Sequence, residues 1–112
     1  TGPLDAAGTI TIDCNETPPP AVTISIGQSP NSGGFDPRAM RLAAGSELLS
    51  YNLYTDSGRT YIWGNGTGNT VTVSARVFKN KPEARTVYGR ISPLQNVSAG
   101  SYRETLAVTI LW

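Results

Sequence analysis

Strict alternation of apolar and small polar residues constrains this chain more than any other feature. It is clearest in residues 102–112, YRETLAVTILW, where Leu106, Val108, Ile110 and Trp112 alternate with Thr105, Ala107 and Thr109. A period of two belongs to a β-strand with one face on a core. Gly100 and Ser101 supply the turn before it. Trp112 is the last residue of the sequence. A hydrophobic strand in that place needs pairing on both edges, and an open apolar edge is a template for another chain. The expectation is that this edge is filled from outside the chain.

The same period recurs upstream. In residues 8–14, Ile10, Ile12 and Cys14 share one face and Thr9, Thr11 and Asp13 the other; the prolines at 18–20 then end the strand. Residues 21–26 follow with Val22, Ile24 and Ile26 inward, placed to pair antiparallel with the first strand across the proline loop. Residues 27–37 read as loop. Residues 38–43 read as a short strand, on the alternation of Met40 and Leu42, or as one helical turn. Residues 48–54 set Leu49, Tyr51 and Leu53 on one face, and 61–63 are a short extended piece. Residues 70–78 alternate through Val71, Val73, Ala75 and Val77. A charged connection at 79–84 leads to a strand at 86–91. No window sustains a 3.6-residue period. About seven short strands at near-regular spacing predict an all-β fold, a β-sandwich of antiparallel sheets with Greek-key connections. At 112 residues the chain is expected to be a single domain.

Composition narrows the function classes. Nine Lys and Arg stand against eight Asp and Glu, which gives no electrostatic case for nucleic acid or an anionic membrane. No apolar run is long enough for membrane insertion. With no His and one Cys, no zinc site can form, and no cofactor is expected. The glycine-rich GNGTG at 64–68 lacks the lysine and following helix of a phosphate-binding loop and reads as a hairpin loop. A catalytic triad or close carboxylate pair cannot be assembled, so no enzyme is expected. Asp56 and Arg59 flank one turn and read as a surface contact. Lys79, Lys81 and Arg85 read as a solvated loop. Tyr51, Tyr54, Tyr61 and Trp63 read either as a sugar-binding or adhesive face, or as half core and half sheet cover. The Asn-x-Ser/Thr triplets at Asn15, Asn65 and Asn96 read as chance in a chain rich in these residues. Cys14 reads either as a buried free thiol or as half of a disulfide.

Several stretches together resemble the spore coat protein U domain, the subunit family of archaic chaperone–usher pili. They are GTITIDC at 8–14, VTISI at 22–26, NSG at 31–33, RAM at 38–40, LSYNLYTD at 49–56, IWGNGTG at 62–68, TVYGRI at 86–91, AGSY at 99–102 and VTI at 108–110. The match runs in order over most of the chain. The resemblance implies an incomplete immunoglobulin-like β-sandwich lacking its last strand. The gap would be filled by donor-strand complementation, first from a periplasmic pilus chaperone and then, at the usher, from a neighbouring subunit. Leu106, Val108, Ile110 and Trp112 would form one wall of the acceptor groove, with Ile10, Ile12 and Val22 in the core beneath. The family has an earlier strand carrying a second cysteine, which implies an upstream disulfide partner for Cys14. On this reading the chain accepts a strand and does not give one, so a partner strand or a swap with a second copy would stabilise it. The implied role is a structural subunit of a Gram-negative surface fibre or spore coat, secreted through the periplasm. The alternative is a tip adhesin or lectin-like domain that binds a surface or glycan through its loops.

Overall fold

A computed structural model describes residues 3–13, 21–93 and 95–111. Among the described residues the fold is all-β: ten strands in two sheets, packed as a β-sandwich. In chain order these are β1 (Leu4–Ile12), β2 (Ala21–Ile26), β3 (Arg38–Leu42), β4 (Leu48–Tyr54), β5 (Ile62–Trp63), β6 (Thr70–Val71), β7 (Val73–Arg76), β8 (Glu83–Ile91), β9 (Tyr102–Arg103) and β10 (Val108–Leu111). The larger sheet runs β1-β8-β4-β3-β9, with β5 joined to β4 and β6 to β5. The smaller runs β10-β2-β7. All strand pairs are antiparallel except β5 with β6.

The core lies between the sheets. Val22, Ile24 and Ile26 of β2 are buried, with Trp63, Ala75 and Val77 around them. Strand β2 is central in its sheet and carries three β-branched side chains on its inner face, so every second residue is sealed. The Trp63 indole is fully buried and donates its Nε1–H to the Ile24 carbonyl at 2.9 Å, which satisfies its one polar group.

Three expectations need correction. The first two strands do not pair with each other. β1 lies along β8 over its whole length, from Leu4 opposite Ile91 to Ile12 opposite Glu83, while β2 pairs with β10 and β7. A proline loop fixes where a strand ends, and does not fix which neighbour it finds. Residues 70–78 are two strands rather than one: β6 pairs with β5 in the larger sheet, and β7 with β2 in the smaller. Residues 102–112 divide in the same way, with β9 on β3 and β10 on β2. A strand that changes sheets keeps its period of two, so alternation alone hides the crossing.

Candidate functional site: an open strand edge

β10 is an edge strand. It pairs with β2 in the register Val108–Ile26, Thr109–Ser25, Ile110–Ile24 and Leu111–Thr23, and among the described residues β2 is its one ladder neighbour. Directly opposed residues of an antiparallel pair stand on the same face. Val108 and Ile110 therefore share the core-facing side with Ile26 and Ile24. Ile110 is half-buried against the core, as is Leu106 just before the strand. Val108 is 46% exposed although it stands on the core side. Among the described residues, the sandwich is thus uncovered along this edge.

Of the residues expected at a groove, Val22 is buried, and Ile10 and Ile12 pack against the core from β1 in the opposite sheet. Leu106 and Ile110 reach the same core from the other side. Trp112 and Cys14 lie outside the described residues. β1 is a second edge strand, paired among the described residues with β8 alone, and Leu4 at its start is 66% exposed. An open apolar hollow of about 190 Å³ lies on this part of the larger sheet, lined by Ala6, Gly8, Leu53, Val87 and Gly89. A Cβ on Gly8 would meet nothing within 4 Å, so the glycine at that position helps to leave the hollow open.

Polar groups close the end of the sandwich where β10 begins. Arg38 is fully buried at the start of β3. Its guanidinium donates to the carbonyls of Ile26 at 3.1 Å, Gly27 at 2.9 Å and Trp63 at 2.7 Å, and to Asn52 Oδ1 at 2.9 Å. Burial lowers its proton affinity from the ordinary arginine range, but those four acceptors hold the cation. Beside it, the Tyr51 hydroxyl donates to Glu104 Oε1 at 2.5 Å. Burial first, and then the Glu104 carboxylate, push the tyrosine well above its usual range, so it remains a neutral donor. The sequence reading missed Arg38, Ser29 and Glu104. One signal was available for Arg38: it falls on the same strand face as Met40 and Leu42.

The aromatic run divides as the second of its two readings had it. Trp63 and Tyr51 are buried, Tyr54 is half-buried, and Tyr61 is exposed. Asp56 and Arg59 do meet across their turn, where the Arg59 N–H donates to the Asp56 carbonyl at 3.1 Å, but their side chains go elsewhere: the Asp56 carboxylate accepts the backbone N–H groups of Thr60 and Tyr61 at 2.9 and 3.0 Å, while the Arg59 guanidinium turns to Asp5 at 3.6 Å. No group of three candidate metal ligands occurs among the described residues. What this arrangement offers chemically is backbone donors and acceptors along an edge, beside apolar surface.

The family model described as Spore Coat Protein U domain matches residues 1–109. Protein U of Myxococcus xanthus is 32% identical over 110 residues, 96% of this chain. The chain spans 60% of the length of that relative.

Proposed function

Because the chain belongs to the Spore Coat Protein U domain family, a family of structural surface proteins of spore-coat or pilus type, we propose that it assembles by accepting a strand from a neighbouring subunit along β10. The one observation that carries this reading is the state of β10: its outer edge has no ladder partner among the described residues, and Val108 stands on the core side 46% exposed. An added strand would bond to the free N–H and C=O groups of β10, and its alternate apolar side chains would cover Val108 and Ile110. Leu106 forms the start of that wall. Ile10, Ile12 and Val22 form the core floor. The assembly partners are neighbouring subunits, delivered by a periplasmic chaperone and an usher to the surface of a Gram-negative cell or to a spore coat. The mechanism is strand exchange without turnover.

The test is titration with a nine-residue peptide of alternating Val and Thr. The expected result is saturable binding, a rise in melting temperature that follows peptide concentration, and new hydrogen-exchange protection in β10. A melting temperature indifferent to peptide, with β10 exchanging as before, would sink the proposal.

A further inference from the structure

The chain changes sheets between β9 and β10 in four residues, 104–107, and Glu104 opens the crossing. Its Oε1 accepts the Tyr51 hydroxyl of β4 at 2.5 Å. Its Oε2 accepts the backbone N–H of Asn31 at 3.2 Å and the hydroxyl of Ser29. Ser29 is 1% exposed, and its Oγ accepts in turn the N–H groups of Ala39 and Ser32, each at 3.1 Å. One carboxylate on the crossing thereby gathers groups from β4, from the 27–37 loop and, through Ser29, from β3. At the far end of the crossing, the Ala107 carbonyl accepts the Gly27 N–H at 2.8 Å. Both ends of the crossing are tied down before β10 starts.

We propose that Glu104 is a positioning residue for strand uptake: it holds β10 along β2, with the outer edge presented, while that edge is empty. This rests on the strand-acceptor reading above. β10 has four residues and, among the described residues, pairs on one edge, and a short ladder of that kind frays easily. Hydrogen bonds to a charged acceptor are stronger than neutral ones, so three of them at the root of β10 restrict the fraying. An edge ordered in advance leaves less freedom for an incoming strand to remove on pairing. Two of the three donors come from a buried serine and a buried tyrosine, which hold the carboxylate in one place.

Three variants test this: Glu104→Ala, the isosteric Glu104→Gln and Tyr51→Phe. Amide hydrogen exchange and association with the alternating Val/Thr peptide are measured on each. In Glu104→Ala, the β10 amides facing β2 are expected to exchange roughly tenfold faster while β3 and β4 keep their rates. Peptide association should slow by a similar factor with dissociation unchanged. Glu104→Gln, which keeps one acceptor, and Tyr51→Phe should fall between it and the parent. Unchanged β10 exchange, or an equal rise across both sheets, would overturn the inference, the second because it marks a general stability role. Should the parent protein bind no peptide, the strand-acceptor reading fails, and the exchange rates still decide whether Glu104 anchors β10.

Discussion

The Arg38 guanidinium meets the carbonyl of Trp63 at 2.7 Å, inside the protein and out of contact with solvent. The same side chain holds Ile26 and Gly27 at the end of β2, so one arginine ties the two sheets together where β2, β3 and β5 converge. These strand ends leave carbonyls that no ladder satisfies, and a flat cation with several N–H donors can satisfy them together.

Replacing Arg38 by Met keeps the length of the stem and removes the donors. Buried acceptors left without partners cost about 1–3 kcal/mol each, less what neighbours recover by shifting. The expected loss is about 3 kcal/mol, read as a lower urea midpoint at unchanged slope. Lysine should rescue it poorly, because its ammonium cannot span acceptors on two sheets.

Gly64 follows Trp63 and faces Thr70 across the β5–β6 pair. A Cβ at Gly64 would lie 2.5 Å from the Thr70 Cβ, and Thr70 is buried. Gly64→Ala must therefore push the two short strands apart. The expected cost is about 2 kcal/mol, within the range for overpacked sites, seen as a lower melting temperature with the β-sheet circular dichroism spectrum retained.

Acid should weaken the fold through three carboxylates. The backbone and hydroxyl donors of Ser98 hold Glu47 below its ordinary value of 4.5. The N–H groups of Tyr61 and Thr60 lower Asp56, and Arg90 lowers Asp5. A folded-state value below the unfolded one means that the unfolded chain takes up protons first. Stability from these groups is therefore complete above pH 4.5 and is lost as pH falls through the depressed folded values. Melting curves should be flat near neutrality and drop below that point. Glu47→Gln should lower the neutral plateau slightly and make the acid limb shallower; an acid limb of unchanged slope would remove Glu47 from this account.

Much of the sandwich could be read from the chain because its signal is local. Val22, Ile24 and Ile26 announce a buried strand by their spacing, and all three are buried. The pairing was less legible. Ile10 and Ile12 have the same pattern as Val22 and Ile24, yet they sit in opposite sheets, and nothing in alternation distinguishes the two. The breaks at Thr72 and at 104–107 are invisible for the same reason. Glu104, Ser29 and Arg38 depend on contacts across the fold; Ser29 and Glu104 are 75 residues apart. Their types read as ordinary surface residues until the tertiary structure buries Arg38 and Ser29 and half-buries Glu104.

Val108 and Ile24 offer the sharpest contrast between an assembly role and a stability role. Both stand on the core side of the smaller sheet, one 46% exposed and the other fully buried. Ile24→Ala removes methyl groups from packed surroundings and should cost about 3 kcal/mol, and any loss of strand binding should follow that unfolding. Val108→Lys sets a charge where the parent leaves apolar surface open to water. The long stem lets its ammonium reach solvent in the isolated chain, so the stability change should stay within about 0.5 kcal/mol, as for surface substitutions. Once a strand covers the edge, that ammonium would be buried without a partner, which is strongly unfavourable. Val108→Lys should therefore melt like the parent and yet lose binding of the Val/Thr peptide by at least about tenfold, measured by calorimetric titration. Equal affinity in parent and variant would place the incoming strand elsewhere than over Val108.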